Sequence, residues 1–133
     1  MNRLLLVTHS GIATGLLATA RSILGAARPV WSIEVGHDED PDEAVTRLNR
    51  LLTRGPGLGP LLVLTDLPGA TPHNLVCLAL RRAGVQARVV SGLNLPMLLR
   101  VLTHLDDPLD RLTGLAAEGG RLAIIEEPVD GGD

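Results

Sequence analysis

Near its start the chain has a short aliphatic run, residues 4–7, that stops at Thr8-His9 and gives way at once to residues with helical spacing. An unbroken apolar run of this length is typical of a strand that is buried on both faces, as in a parallel sheet. The helical spacing is carried by Ile12, Leu16, Leu17, Ala20, Ile23 and Leu24. We therefore expect His9 at the carboxyl end of a parallel strand, immediately before a helix N-terminus. In open α/β sheets ligands bind at this edge, and the helix N-terminus there favours anions.

The same alternation of apolar runs and helical stretches continues along the chain. Further strands are predicted at residues 30–35, 61–66, 87–91 and 121–126. Further helices are predicted from Pro41, from Thr71-Pro72 with Thr71 as the N-cap, from about Pro96, and from Asp107-Pro108 to Gly119-Gly120. Strands that alternate with helices form mainly parallel sheets with helices on both faces. We therefore expect a single α/β domain over residues 1–133, built on a doubly wound open sheet.

The charged residues and the single cysteine exclude several classes of function. All 12 positive side chains are arginines, so the chain has neither the lysine of a P-loop nor one for Schiff-base chemistry. A net charge of −3 and the lack of a basic cluster argue against a nucleic-acid partner. Cys77 is the sole cysteine, which precludes an internal disulfide and fits a reducing compartment. Because no apolar stretch is long enough for a signal peptide or a membrane span, we expect a cytoplasmic protein.

Polar residues lie at the carboxyl ends of three predicted strands, namely His9, Asp66 and Ser91. Of these, His9 and Asp66 can lie on adjacent strand ends. A carboxylate that accepts a hydrogen bond from one ring nitrogen fixes the histidine tautomer and leaves the other nitrogen nucleophilic. The backbone N–H groups of Gly69, Ala70 and Thr71, at a helix start close to Asp66, could hold a phosphoryl group. The simpler interpretation is that Asp66 only caps a turn. Matched polar side chains at two strand ends favour a functional site.

Other candidate residues have simpler structural explanations. His73 is a candidate second acid or base, but in a first helical turn we expect it at the surface. Asn94 and Pro96 either border the site or only start a helix. Residues 37–40 (HDED) are the one candidate for a metal site, and a solvated helix start explains them better. We therefore expect neither a metal nor a cofactor, and we expect Cys77 in the core.

Three segments, VTHSG at residues 7–11, LTDLPGATPHN at residues 64–74 and VSGLNLPML at residues 90–98, resemble in order the enzyme IIA domain of the mannose-type sugar phosphotransferase system. The resemblance covers nearly the whole chain. It implies that His9 accepts a phosphoryl group from the phosphocarrier HPr and passes it to a IIB partner. It also implies that Asp66 bonds to the other ring nitrogen of His9. The implied fold has four parallel strands plus an antiparallel C-terminal strand, residues 121–126, that is exchanged in a homodimer.

The same resemblance implies roles for the residues around His9. Phosphoryl binding is expected from Ser10, Gly11, Gly69, Ala70 and Thr71. The surface for partner proteins is expected to include Pro68, His73, Asn94 and Pro96. The family's components need no cofactor, and they reach the membrane only indirectly, through a permease complex. Sugar uptake and its regulation are both compatible with this resemblance.

The chain differs from the family's usual pattern in the turn after the third strand. Ala70 replaces a glycine, His73 replaces an aromatic residue, and Pro68 replaces a bulkier residue. These differences concern the choice of partner and leave the phosphoryl chemistry intact.

Three alternative functions share part of this pattern. The phosphotransfer subunit of a dihydroxyacetone kinase shares the early histidine but typically lacks the Thr-Pro-x-Asn run of residues 71–74. A receiver domain needs a lysine, which this chain does not have. In a regulatory binding module, phosphorylation of His9 would be only a signal. Onward transfer of the phosphate to a IIB protein distinguishes this last alternative from a phosphoryl carrier.

Overall fold

Four parallel strands form one sheet at the centre of the computed structural model, which describes residues 2–25, 28–54 and 59–132. The strands are β1 (Arg3–His9), β2 (Trp31–Val35), β3 (Leu61–Thr65) and β4 (Ala87–Ser91). The helices are α1 (Ile12–Leu24), α2 (Pro41–Arg54), α3 (Thr71–Ala83), α4 (Leu95–Leu102) and α5 (Leu109–Leu122). The strand order is β2-β1-β3-β4, so β1 and β3 are the central pair. The predicted doubly wound parallel sheet is confirmed.

The two faces of the sheet are covered by different helices, as alternation of side chains along a strand requires. On β1, Leu4 and Leu6 pack in one cluster with residues of α1, α4 and α5. Leu5 and Val7 lie in the other cluster, with residues of α2 and α3. Burial on both faces explains why β1 and β3 are continuous apolar runs.

The helix boundaries follow the proline and glycine signals in the sequence. α2 begins at Pro41, and the Asp40 carboxylate accepts a hydrogen bond from the Asp42 N–H at 3.0 Å. α1 ends at Gly25, which has a left-handed backbone conformation. α3 begins one residue earlier than predicted, because its N-cap is Ala70 and Thr71 is already helical.

The predicted strand at residues 121–126 is wrong for the single chain. α5 continues to Leu122, so Arg121 and Leu122 are helical. In the described stretch that follows, residues 123–132, no strand forms. Ile124 and Ile125 are 79% and 69% exposed. A strand needs a neighbouring strand to satisfy its N–H and C=O groups, and this segment pairs with none of the four described strands.

Gly119 and Gly120 do not end α5, in contrast to the prediction; they allow α5 to pack closely on α4. A Cβ atom added at Gly119 would lie 2.8 Å from the Cβ of Arg100. One added at Gly120 would lie 2.9 Å from the Cε of Met97. The two glycines therefore mark a close approach between helices.

Replacing Gly119 with alanine should destabilise the fold by about 1–3 kcal/mol. The new methyl group would overlap the Cβ atom of Arg100, which cannot move away without a shift of the α4 backbone. Gly114 of the same helix is the matched control, since a Cβ there meets no atom within 4 Å. Gly114→Ala should be neutral or stabilising by up to about 1 kcal/mol through helix propensity. Chemical denaturation of both variants measures the difference, and equal stabilities would contradict the packing role of Gly119.

None of the described helices combines the length and the hydrophobicity needed to cross a bilayer.

Candidate functional site

His9 and Asp66 meet at the carboxyl edge of the sheet, on its two central strands. β1 and β3 run parallel with Val7 opposite Thr65, so His9 ends β1 close to Asp66, the first residue after β3. The Asp66 Oδ2 atom accepts hydrogen bonds from the His9 ring Nδ1 at 2.7 Å and from the His9 backbone N–H at 3.0 Å. Its Oδ1 atom accepts from the Leu67 N–H at 3.0 Å. Asp66 therefore binds both the backbone and the ring of His9.

The Asp66 carboxylate fixes the protonation pattern of the His9 ring. Partial burial acts to raise the pKa of Asp66, but hydrogen bonds from the backbone and ring of His9 outweigh burial, so the pKa is lowered. An ionised carboxylate can only accept hydrogen bonds, so Nδ1 of His9 must carry the proton. In the neutral ring Nε2 then has a free electron pair. The His9 side chain is 46% exposed, against 13% for Asp66, so the nucleophilic ring is accessible.

His73 has the opposite arrangement. Its Nδ1 atom accepts a hydrogen bond from the backbone N–H of Gly69 at 2.8 Å. A backbone N–H can only donate, so in the neutral ring the proton must sit on Nε2. Neither nitrogen of His73 then offers a free electron pair. His73 was expected at the surface, and the structure places it half-buried, folded against the turn that precedes α3.

The N-terminus of α3 offers two backbone donors beside this pair. Among the described residues, the N–H groups of Thr71 and His73 have no hydrogen-bond partner, and Pro72 between them has no N–H. The N–H of Ala70 donates to the Leu67 carbonyl oxygen at 3.3 Å, and the Gly69 N–H is held by His73. Of the three amides predicted to bind phosphoryl in this turn, that of Thr71 is open to an anion.

The N-terminus of α1 is already occupied by a carboxylate that was not predicted from the sequence. The Glu34 side chain, on β2, accepts from the Gly11 N–H at 2.9 Å and from the Thr14 N–H at 2.8 Å. These hydrogen bonds lower the pKa of Glu34. Ser10, the other residue expected to bind phosphoryl here, is exposed beside Gly11. The sequence signal that could have indicated this contact is that Glu34 is the acidic residue of the mostly apolar strand β2.

The residues expected at the partner surface have different surroundings. Pro68 is exposed in the turn after β3. The Asn94 side chain caps α4, accepting from the Met97 N–H at 2.9 Å and donating to the Gly120 carbonyl oxygen at 3.2 Å. Pro96 lines a groove between α4 and α5. Asn94 therefore has a structural role, whereas Pro68 is open to a partner.

The remaining polar candidates are explained by structure. Ser91, at the end of β4, accepts a hydrogen bond from the Thr65 hydroxyl at 2.8 Å. Cys77 is half-buried on α3, so it is only partly in the core. Across the described part of the chain, no group of three or more His, Cys, Asp or Glu residues is arranged to hold a metal ion.

A family model and curated relatives both match most of the chain. A family model described as "PTS system fructose IIA component" (EIIA-man) matches residues 3–109. The chain is 32% identical over 131 residues to the PTS system mannose-specific EIIAB component of Escherichia coli strain K12. That match covers 92% of this chain and 39% of the relative, so the chain spans about two fifths of the length of the curated relatives it matches.

Solved structures show the same architecture. The mannose/sorbose specific IIA subunit of the phosphotransferase system from Enterococcus faecalis aligns with a TM-score of 0.87 and 26% identity, covering 99% of this chain and 98% of that one. The phosphotransferase system component EIIA from Streptococcus agalactiae aligns with a TM-score of 0.81 and 26% identity, covering 95% and 97%.

Proposed function

Because the chain belongs to the mannose-type IIA family of the sugar phosphotransferase system, we propose that it is a phosphoryl carrier that works through His9. In this proposal His9 accepts the phosphoryl group from phospho-HPr and passes it to a IIB partner, in sugar uptake or its regulation. The observation that carries the proposal is the 2.7 Å hydrogen bond from the His9 Nδ1 atom to Asp66, since it leaves Nε2 as the nucleophile.

The transfer step follows from this protonation pattern. The electron pair on Nε2 attacks phosphorus and forms a new N–P bond, while the bond from phosphorus to the donor breaks and its electron pair leaves with the donor. The proton on Nδ1 stays in place. The ring gains positive charge during the step, and the Asp66 carboxylate, already within hydrogen-bond distance, stabilises that charge. Transfer to the IIB partner is the same step in reverse, with a new acceptor.

The phosphoryl group is proposed to lie against the N-terminus of α3. The N–H groups of Thr71 and His73, which have no partner among the described residues, lie at this end of the helix. The helix dipole favours negative charge there. Gly69 and Ala70 shape the turn that brings Thr71 there. Ser10 and Gly11 border the same edge from the turn before α1. Docking partners are proposed to cover the exposed Pro68.

Reconstitution with phosphoenolpyruvate, enzyme I and HPr tests the proposal. The chain should acquire one phosphate that is labile to acid and stable to base, as expected for a phosphohistidine. Adding a mannose-type IIB protein without further donor should then remove the label from this chain. A label that forms but never leaves for any IIB protein would favour the regulatory module, and no label at all would contradict both functions.

We also propose that the chain forms a homodimer through its C-terminal segment. Beyond α5 the exposed side chains of Ile124, Ile125 and Val129 are 79%, 69% and 87% accessible. Apolar side chains this exposed stabilise an interface when a second copy covers them. An exchange of this segment between two copies would also supply the strand partner that it does not find within the single chain.

Sedimentation velocity at micromolar concentration tests the homodimer. The full chain should sediment as a dimer, and a chain truncated after Leu122 should sediment as a monomer, because it has lost the exposed apolar segment. Removal of residues 130–133 alone is the control, since it leaves Ile124, Ile125 and Val129 in place and should preserve the dimer. A monomeric full chain would contradict the proposal.

A further inference from the structure

Two helix N-termini, those of α1 and α3, lie beside His9, and they differ in whether a carboxylate is bound to them. At α1, the N–H groups of Gly11 and Thr14 both donate to the carboxylate of Glu34. Between them, the Ala13 N–H donates to the Thr8 hydroxyl at 3.1 Å. A bound carboxylate thus already supplies the negative charge that a helix N-terminus attracts.

At α3 no acidic side chain plays this part. The first turn of α3 contains no acidic residue, and its N-cap residue makes no side-chain hydrogen bond to the helix. The open N–H groups of Thr71 and His73 lie at this end. The N–H of Ile12, the first residue of α1, has no partner among the described residues, so the two ends differ in the bound carboxylate. An anion that arrives at His9 therefore meets one N-terminus that already binds a carboxylate and one that binds none.

We propose that Glu34 is a positioning residue for phosphotransfer: its carboxylate binds the N-terminus of α1, fixes the turn that follows His9, and so directs the phosphoryl group to the N-terminus of α3. This inference rests on the proposed function, because it concerns where the phosphoryl group on His9 lies. Glu34 acts through the backbone of the His9 turn and does not itself react.

The position of Glu34 is set by neighbours that hold its strand. Glu34 lies opposite Thr8 in the register of β2 with β1, one residue before His9. The Arg47 guanidinium donates to the Glu34 backbone oxygen at 2.9 Å and also pairs with the Glu39 carboxylate. Glu39 in turn accepts from the Gly36 N–H at 3.2 Å. The end of β2 is thereby tied down on the side away from α1, and Glu34 reaches the helix with both oxygens.

Removing this carboxylate should open a competing anion site. Without Glu34, the N–H groups of Gly11 and Thr14 lose their acceptor and the positive end of α1 is free to attract the phosphoryl group. A phosphoryl group that can bind at the N-terminus of either α1 or α3 is misaligned for onward transfer whenever it binds at α1. Because a displacement of about 1 Å costs on the order of 100-fold in a positioned reaction, we expect the Glu34→Ala variant to transfer to IIB about 10- to 100-fold more slowly.

Backbone amide chemical shifts of the full chain, measured with and without phosphorylation of His9, test the inference. In the wild type, phosphorylation should move the amide signals of Thr71 and His73 and leave those of Gly11 and Thr14 nearly unchanged. In phosphorylated Glu34→Ala, the Gly11 and Thr14 signals should also move relative to the unphosphorylated variant. Glu34→Gln should respond in the same direction, because a carboxamide has one acceptor oxygen for two N–H donors.

Glu43→Gln is the matched control, since it removes the same charge from an exposed position in the first turn of α2. It should leave both the amide responses and the transfer rate as in the wild type. Equal responses of Gly11 and Thr71 in the phosphorylated wild type would overturn the inference, and that comparison needs no variant to fold. Silent Gly11 and Thr14 signals in folded Glu34→Ala would overturn it too. Failure of His9 to accept phosphate would instead contradict the proposed function.

Discussion

Replacing His9 with alanine should reduce phosphate incorporation from phospho-HPr to background. The expected loss is complete because the second histidine of the described site has no free ring nitrogen. This residue, His73, accepts a hydrogen bond from the Gly69 N–H on Nδ1 and so carries its proton on Nε2. The measurement is the stoichiometry of phosphate per chain after incubation with phosphoenolpyruvate, enzyme I and HPr.

His73→Ala is the matched control for this prediction. It removes an imidazole from the same site without removing the proposed acceptor, so the chain should still take up one phosphate. Loss of labelling in His73→Ala with retention in His9→Ala would reverse the two roles. If both variants lost the label, His73 could act either directly or by supporting the Gly69 turn. The initial rate of labelling would then be measured to distinguish these two roles.

Replacing Asp66 with asparagine should slow phosphorylation of His9 by about 10²–10⁴-fold, the range that groups of this kind contribute. The carboxylate accepts on both oxygens, from His9 on Oδ2 and from the Leu67 N–H on Oδ1. A carboxamide has one acceptor oxygen, so its NH₂ group must face either Leu67 or His9. Facing His9, it donates to Nδ1 and moves the ring proton to Nε2, which blocks the nucleophile.

A second effect of Asp66→Asn acts in the opposite direction. Removing a carboxylate near an incoming phosphoryl group also removes electrostatic repulsion. We expect the loss of tautomer control to dominate, because Asp66 is hydrogen-bonded to the ring and its charge is balanced as the ring becomes cationic. The single-turnover rate of transfer from phospho-HPr measures the net effect.

Asp38→Asn is the control for the Asp66 variant, since Asp38 is an exposed carboxylate on the loop after β2. It should transfer at the wild-type rate. Circular dichroism should show that both variants are folded, which would separate a loss of rate from a loss of structure. An unchanged rate in Asp66→Asn would mean that Asp66 only caps the turn after β3.

The sequence was most informative where local chemistry and burial agree. β1 and β3 are apolar runs because they are buried on both faces, and proline or glycine marks most helix ends. The juxtaposition of His9 with Asp66 was also predictable, because the carboxyl ends of parallel strands share one edge of a sheet. These features depend on short segments and on a general rule of topology.

The C-terminal region was mispredicted because its signals are ambiguous without tertiary contacts. A glycine pair ordinarily ends a helix, but Gly119 and Gly120 lie where α5 approaches α4 closely, which only the position of Arg100 reveals. The run at residues 122–125 is too short to distinguish a helix end from a strand by periodicity. Beyond Leu122 the described segment pairs with none of the four strands and forms no strand itself.

The role of Glu34 was not predicted because it depends on the pairing of β2 with β1. Nothing near Glu34 in the sequence points to α1, and only the pairing of β2 with β1 brings its carboxylate to the Gly11 N–H. The amides of Gly69 and Gly11 were expected to be open, but the side chains of His73 and Glu34 already accept hydrogen bonds from them. Which donors are free at a helix N-terminus thus depends on side chains that turn back within the same helix start, as at Gly69, or come from another strand, as at Gly11.

Long-range proton–nitrogen spectra of the imidazole rings test the central claim most directly. They should be recorded above the ordinary histidine pKa of about 6.5, before and after phosphorylation. We predict that the unphosphorylated chain carries its proton on Nδ1 of His9 and on Nε2 of His73, and that phosphorus then couples to Nε2 of His9. Phosphorus on His73 or on Nδ1 of His9, or a proton on Nε2 of His9 before phosphorylation, would contradict the account.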